Sequence, residues 1–78
     1  MALAATIRAE RTARRLKQAE LAERTGMSRT TLMRFEGGQR VPDLEQMARL
    51  AAAFDLTLGQ LLTAAERRLA PAEAATEH

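Results

Sequence analysis

The stretch Gln18-Ala19-Glu20-Leu21-Ala22-Glu23-Arg24-Thr25-Gly26-Met27-Ser28-Arg29-Thr30-Thr31-Leu32-Met33-Arg34-Phe35-Glu36 decides the fold. It reads as two short helices around a tight turn. The first spans Gln18 to about Thr25 and turns Leu21 and Ala22 inward. Gly26 ends it, because a turn this tight wants a residue that tolerates positive φ. Ser28 caps the second helix, from Arg29 to about Glu36, by accepting a first-turn N–H. The apolar side of that helix is Leu32 and Phe35. Met27, just before the cap, packs against Leu32 and sets the angle between the two helices. Ala22 is small where they cross, so they approach closely. The outer face is left with Arg29, Thr30, Met33 and Arg34.

Outward from this stretch the chain continues as helices. Ala, Leu, Arg, Glu and Gln dominate and are good helix formers. Strand-forming residues are scarce, with one Val, one Ile, two Phe and no Tyr or Trp. The fold class is therefore all-α, with five helices. Helix 1 is expected from about Ala4 to Arg15, with Leu3, Ile7 and Arg11 on one face, and Leu16 and Lys17 link it to helix 2. Gly37-Gly38 stops helix 3, and a loop follows through Gln39, Arg40, Val41 and Pro42. Asp43 with Gln46 forms a capping box for helix 4. Its core face is Leu44, Met47, Leu50, Ala51 and Phe54, at helical spacing. Thr57 with Gln60 forms another capping box, for helix 5 from Leu58 to about Leu69, where Pro71 ends it. Residues 1–69 make one domain, and 70–78 a disordered tail.

Composition narrows the function. The chain has 78 residues and no cysteine, so disulfides, thiolate metal sites and thiol catalysis are excluded. The single histidine, His78, has no partner suited to metal binding or catalysis. Gly37-Gly38 is no phosphate loop, because the Lys-Ser/Thr that must follow is missing. These residues point to no enzyme, no metal and no cofactor. No apolar run approaches the roughly 20 residues of a membrane span. The charge is uneven: residues 1–42 hold nine Lys/Arg against four Glu, net +5. Residues 43–78 hold three Arg against six acids, net −3. The basic half suits a polyanion, with the acidic half turned away.

Residues 7–62 resemble the lambda repressor/Cro-type, or XRE-like, helix-turn-helix family. The matching pieces are Ile7-Arg8-x-x-Arg11, Leu16-x-Gln18-x-x-Leu21-Ala22, Gly26-Met27-Ser28, Leu32-x-x-Phe35-Glu36-x-Gly38, Pro42-x-Leu44 and Leu56-x-Leu58-x-x-Leu61-Leu62. The resemblance implies a five-helix lambda-repressor-like domain with its helix-turn-helix at helices 2 and 3. Arg15 and Asp55 depart from the family, which often has Gly at both places. Gln18 would touch a phosphate and brace the recognition helix, and Ser28 would cap that helix and donate to phosphate. Arg29, Thr30 and Arg34 would face bases, since Arg pairs bidentately with guanine and a Thr methyl suits thymine. Thr31 would meet the DNA backbone, and Gln39 and Arg40 would grip phosphates. Arg11 on helix 1 would pair with Glu36 and fix helix 3 against the scaffold.

The function so implied is a cytoplasmic, nucleoid-associated transcriptional regulator. It would bind double-stranded DNA through helix 3, as a repressor on a palindromic operator. Leu58, Leu61, Leu62, Ala65 and Leu69 form a stripe longer than so small a core needs. With Leu61 inward, Leu58, Leu62, Ala65 and Leu69 are the candidates for a homodimer interface. The rival readings are an antitoxin, which would hold a toxin or other protein partner and bind DNA secondarily, and a restriction-modification controller protein.

Overall fold

Five helices follow one another along the chain: α1 (Leu3–Ala13), α2 (Gln18–Thr25), α3 (Arg29–Glu36), α4 (Leu44–Ala53) and α5 (Leu58–Glu77). The computed structural model describes the backbone of residues 2–77 and the side chains of residues 2–68. Among the described residues there is no strand, as the sequence led us to expect. α1 packs on α3 and α5, α2 on α3 and α4, and α4 on α5. The core is shared by all five helices: Leu3 and Ile7 of α1, Leu21 and Ala22 of α2, Leu32 and Phe35 of α3, Leu50 and Ala51 of α4, and Leu61 of α5, with Leu16 and Phe54 from the connections. Met27 and Met47 pack against its edge.

Capping marks the helix starts where the sequence placed them. Ser28 Oγ accepts from the Thr31 N–H at 3.0 Å. Asp43 with Gln46 and Thr57 with Gln60 bond reciprocally, satisfying N–H groups the helices cannot reach. At the start of α2 the Glu20 carboxylate accepts the Lys17 N–H at 3.0 Å.

The first four helices end in one way. After each, a residue takes positive φ: Arg15 (55°), Gly26 (69°), Gly38 (74°) and Asp55 (58°). The N–H of the next residue then reaches back five positions: Leu16 to Arg11 O, Met27 to Ala22 O, Gln39 to Arg34 O and Leu56 to Ala51 O, at 2.8–3.1 Å. This is the Schellman arrangement, which satisfies orphan carbonyls and turns the chain sharply.

Four expectations need correction. Helix 1 ends at Ala13 rather than Arg15, because Arg15 occupies the left-handed slot that closes it. Leu44 is 64% exposed, because it opens α4 on a first turn that no neighbouring helix covers. Ala65 is 4% exposed. It lies one turn after Leu61 and so shares that residue's inward face. It belongs to the core of the domain and offers no surface for a second copy. α5 extends beyond the end expected at Leu69, through Pro71 to Glu77. The side chains from residue 69 onward lie outside the described residues, and with them the expected disorder of 70–78 and the role given to Leu69.

Candidate nucleic-acid interface

Opposite faces of α3 have opposite jobs. Leu32 and Phe35 are fully buried and Glu36 is nearly so, while Arg29, Thr30, Met33 and Arg34 are all exposed. Positions 29, 30, 33 and 34 fall on one side of a helix with 3.6 residues per turn. The result is a rigid rod, anchored on one side, that offers two guanidinium groups, a hydroxyl and a thioether on the other. The anchoring fixes the direction in which each outward side chain leaves the helix.

An ion pair completes the anchoring. Arg11 Nε donates to Glu36 Oε2 at 2.8 Å, and Arg11 Nη2 to Oε1 at 2.9 Å. The remaining Nη1 donates to Leu16 O at 2.8 Å, so one side chain ties the α1–α2 link to the end of α3. Only 14% of the Arg11 side chain and 4% of the Glu36 side chain are exposed. The hydrogen bonds that Arg11 donates to Glu36 hold the guanidinium above its already high ordinary pKa, against the opposing effect of burial. Gln18 Nε2 approaches Glu36 Oε1 at 3.4 Å, which brings the first residue of α2 to the same carboxylate.

The other expected site residues lie around this rod. Gln18 is half-buried and lines a shallow concavity with Arg11, Lys17, Ala19 and Arg29. Ser28 and Thr31 hold their hydroxyls 2.9 Å apart at the start of α3. One proton lies between them, so the pair has a single O–H left for a phosphate. Gln39 and Arg40 are exposed in the loop, and both donate their N–H to Arg34 O, at 3.0 and 3.3 Å. The loop is thereby pinned to α3, and buried Pro42 seats it on the domain. The dimer candidates Leu58 and Leu62 are half-buried on α5, a helix that packs on α1 and α4.

Sequence reasoning passed over Lys17, treating it as linker. In the structure it is an exposed cation on the rim of the concavity that Gln18 and Arg29 share. Its place directly before a helix start in the basic half was the available signal. Among the described residues no cluster of His, Cys, Asp or Glu could hold a metal ion. No helix among them is long and apolar enough to cross a membrane.

Two short helices around a positive-φ glycine, the second buried on one face and polar on the other, define a helix-turn-helix. The chain belongs to the helix-turn-helix domain family, which it matches over residues 2–65. It is 39% identical over 59 residues to the ImmF control region 10 kDa protein of Bacillus phage phi105, covering 76% of this chain and 66% of that protein. It is 34% identical over 56 residues to the HTH-type transcriptional activator BcrR of Enterococcus faecalis, covering 72% of this chain and 28% of that protein. The chain thus spans just under two thirds of the first relative and less than a third of the second. Among solved structures it is similar to the clp gene regulator ClgR from Corynebacterium glutamicum, with TM-score 0.86, 26% identity and coverage of 97% of this chain and 81% of that one. It is also similar to the restriction-modification controller protein C.AhdI from Aeromonas hydrophila, with TM-score 0.72, 34% identity and coverage of 76% and 89%.

Proposed function

We propose that this chain is a sequence-specific, cytoplasmic DNA-binding regulator that represses transcription as a homodimer on a palindromic operator. The observation that carries the reading is the exposed face of α3, with Arg29, Thr30, Met33 and Arg34 on a helix that Leu32, Phe35 and the Arg11–Glu36 pair hold from behind. A helix of this width enters the major groove, and base edges there present acceptors that arginine reads bidentately. Gln18, Lys17, Ser28, Thr31, Gln39 and Arg40 ring the helix and would take phosphates. Leu58 and Leu62 would meet a second copy. No step of covalent chemistry is part of this function.

A second reading is favoured by one observation, the similarity to a restriction-modification controller over most of both chains. The two readings share the DNA face and differ in the gene controlled. Selection of bound duplexes from random sequence tests the common core. A two-fold-symmetric site with guanines in each half is the expected result. Enrichment of no sequence at all would overturn specific recognition, and an asymmetric site would overturn the homodimer.

A further inference from the structure

Arg15 is strained and exposed. Its φ of 55° is left-handed, in the slot that Gly26 and Gly38 fill after α2 and α3. A side chain in that conformation carries a strain that glycine avoids, because Cβ crowds the following carbonyl. Asp55 has the same geometry after α4, but a short polar side chain can bond locally and tolerates it. Arginine has no such local remedy. Nor does Arg15 gain from its neighbours: it is exposed and forms no side-chain hydrogen bond or ion pair among the described residues. Arg11, Arg14 and Arg49 are all paired. The stability of the free domain therefore gives no reason for arginine here.

Position supplies one. The link that carries Arg15 is fastened beside α3, because Arg11 bonds both Leu16 O and Glu36. Two residues on, Lys17 stands on the rim of the concavity shared with Gln18 and Arg29. With α3 in the major groove, this link meets the sugar–phosphate strand bordering the groove. We propose that Arg15 is a further DNA contact, its guanidinium donating to a backbone phosphate beside the one Lys17 and Gln18 would hold. The proposal rests on the placement of α3 given above. It assigns the left-handed arginine a role that trades stability for binding.

The test uses the full chain and a duplex selected from random sequence, titrated from about 50 to about 200 mM salt. Arg15→Gly and Arg15→Asn should melt at or above the wild type, since both residues suit the left-handed slot. Both should bind several-fold more weakly at low salt, with the slope of log K against log salt reduced by about one. Arg15→Lys should keep the slope. Arg67→Ala, on the exposed face of α5, should leave it unchanged. A wild-type slope in Arg15→Gly and Arg15→Asn overturns the contact while leaving the major-groove reading intact. An equal loss in Arg67→Ala shows a net-charge effect and overturns it as well. Absence of salt-dependent binding by the wild type itself would refute the parent reading instead.

Discussion

Arg29 and Arg34 stand five positions apart and bracket the free face of α3, with Thr30 and Met33 between them. Each Arg→Ala change should cost about 1–3 kcal/mol at the selected site and relax preference at one base position. The measurement is affinity across a panel of single-base variants. Equal loss on every member of the panel would make that arginine a phosphate contact. Gly26 acts on stability alone. A Cβ built there meets nothing closer than Arg49 Nη1 at 4.0 Å, so space is no obstacle to alanine. The cost of Gly26→Ala comes only from φ of 69°, and should be about 1 kcal/mol. In a domain of this size that lowers the melting temperature by about 4–8 °C. Unchanged melting would mean that the turn relaxes to negative φ.

Between elements, two arginines of α1 act as fasteners. Arg14 donates to Phe54 O at 2.7 Å, to Glu10 at 2.8 Å, and lies 5.1 Å from the centre of the Phe54 ring. It closes the far end of α1 against the end of α4. Arg11 does the corresponding work on α3. Removing Arg11 alone leaves the Glu36 carboxylate buried, with only the long contact from Gln18. That uncompensated charge should destabilise the domain by roughly 3–5 kcal/mol. Thermal or urea unfolding of Arg11→Ala checks it, and wild-type-like stability would show Glu36 reaching water at little cost. Because the partner raises the Arg11 pKa, its contribution is fully present below the unfolded-state value and fades only as pH climbs past the folded one. Both lie far into alkali, so titration of Arg11 leaves stability unchanged through neutral pH.

On the scale of the molecule, charge and symmetry decide. The net +5 of residues 1–42 gathers the cations of α1 to α3 and of the following loop. Binding should therefore weaken steeply with salt as condensed counterions are released. Arg40→Ala should lower the slope by about one and leave sequence preference alone. A change in preference would move Arg40 from phosphate to base. Dimerisation rests on Leu58 and Leu62 now that Ala65 is assigned to the core. Sedimentation of the free protein should give twice the chain mass, and Leu62→Glu should halve it. A two-fold dimer would set its recognition helices about 34–36 Å apart, one turn of DNA. A monomer that still bound a single half-site tightly would rule the dimer out and spare the recognition helix.

Much of this architecture was legible in the chain itself, because it rests on local rules. Helix starts followed from Ser28, Asp43 and Thr57, whose side chains reach the N–H groups three residues on. The turn after α2 followed from Gly26, and the buried face of α3 from the spacing of Leu32 and Phe35. The Arg11–Glu36 pair was legible only through resemblance, since nothing local joins residues 25 positions apart. Other features needed the tertiary structure. Periodicity says which residues share a face, not where the neighbouring helix stops, so Leu44 was read as core and is exposed, while Ala65 was read as interface and is core. That Arg15 leaves the helix was hinted at only by the resemblance, since the family often has Gly there, and not by the residue itself. Arginine is a good helix former, and only the packing of Leu16 into the core, with its N–H returned to Arg11 O, forces the residue before it into the left-handed slot.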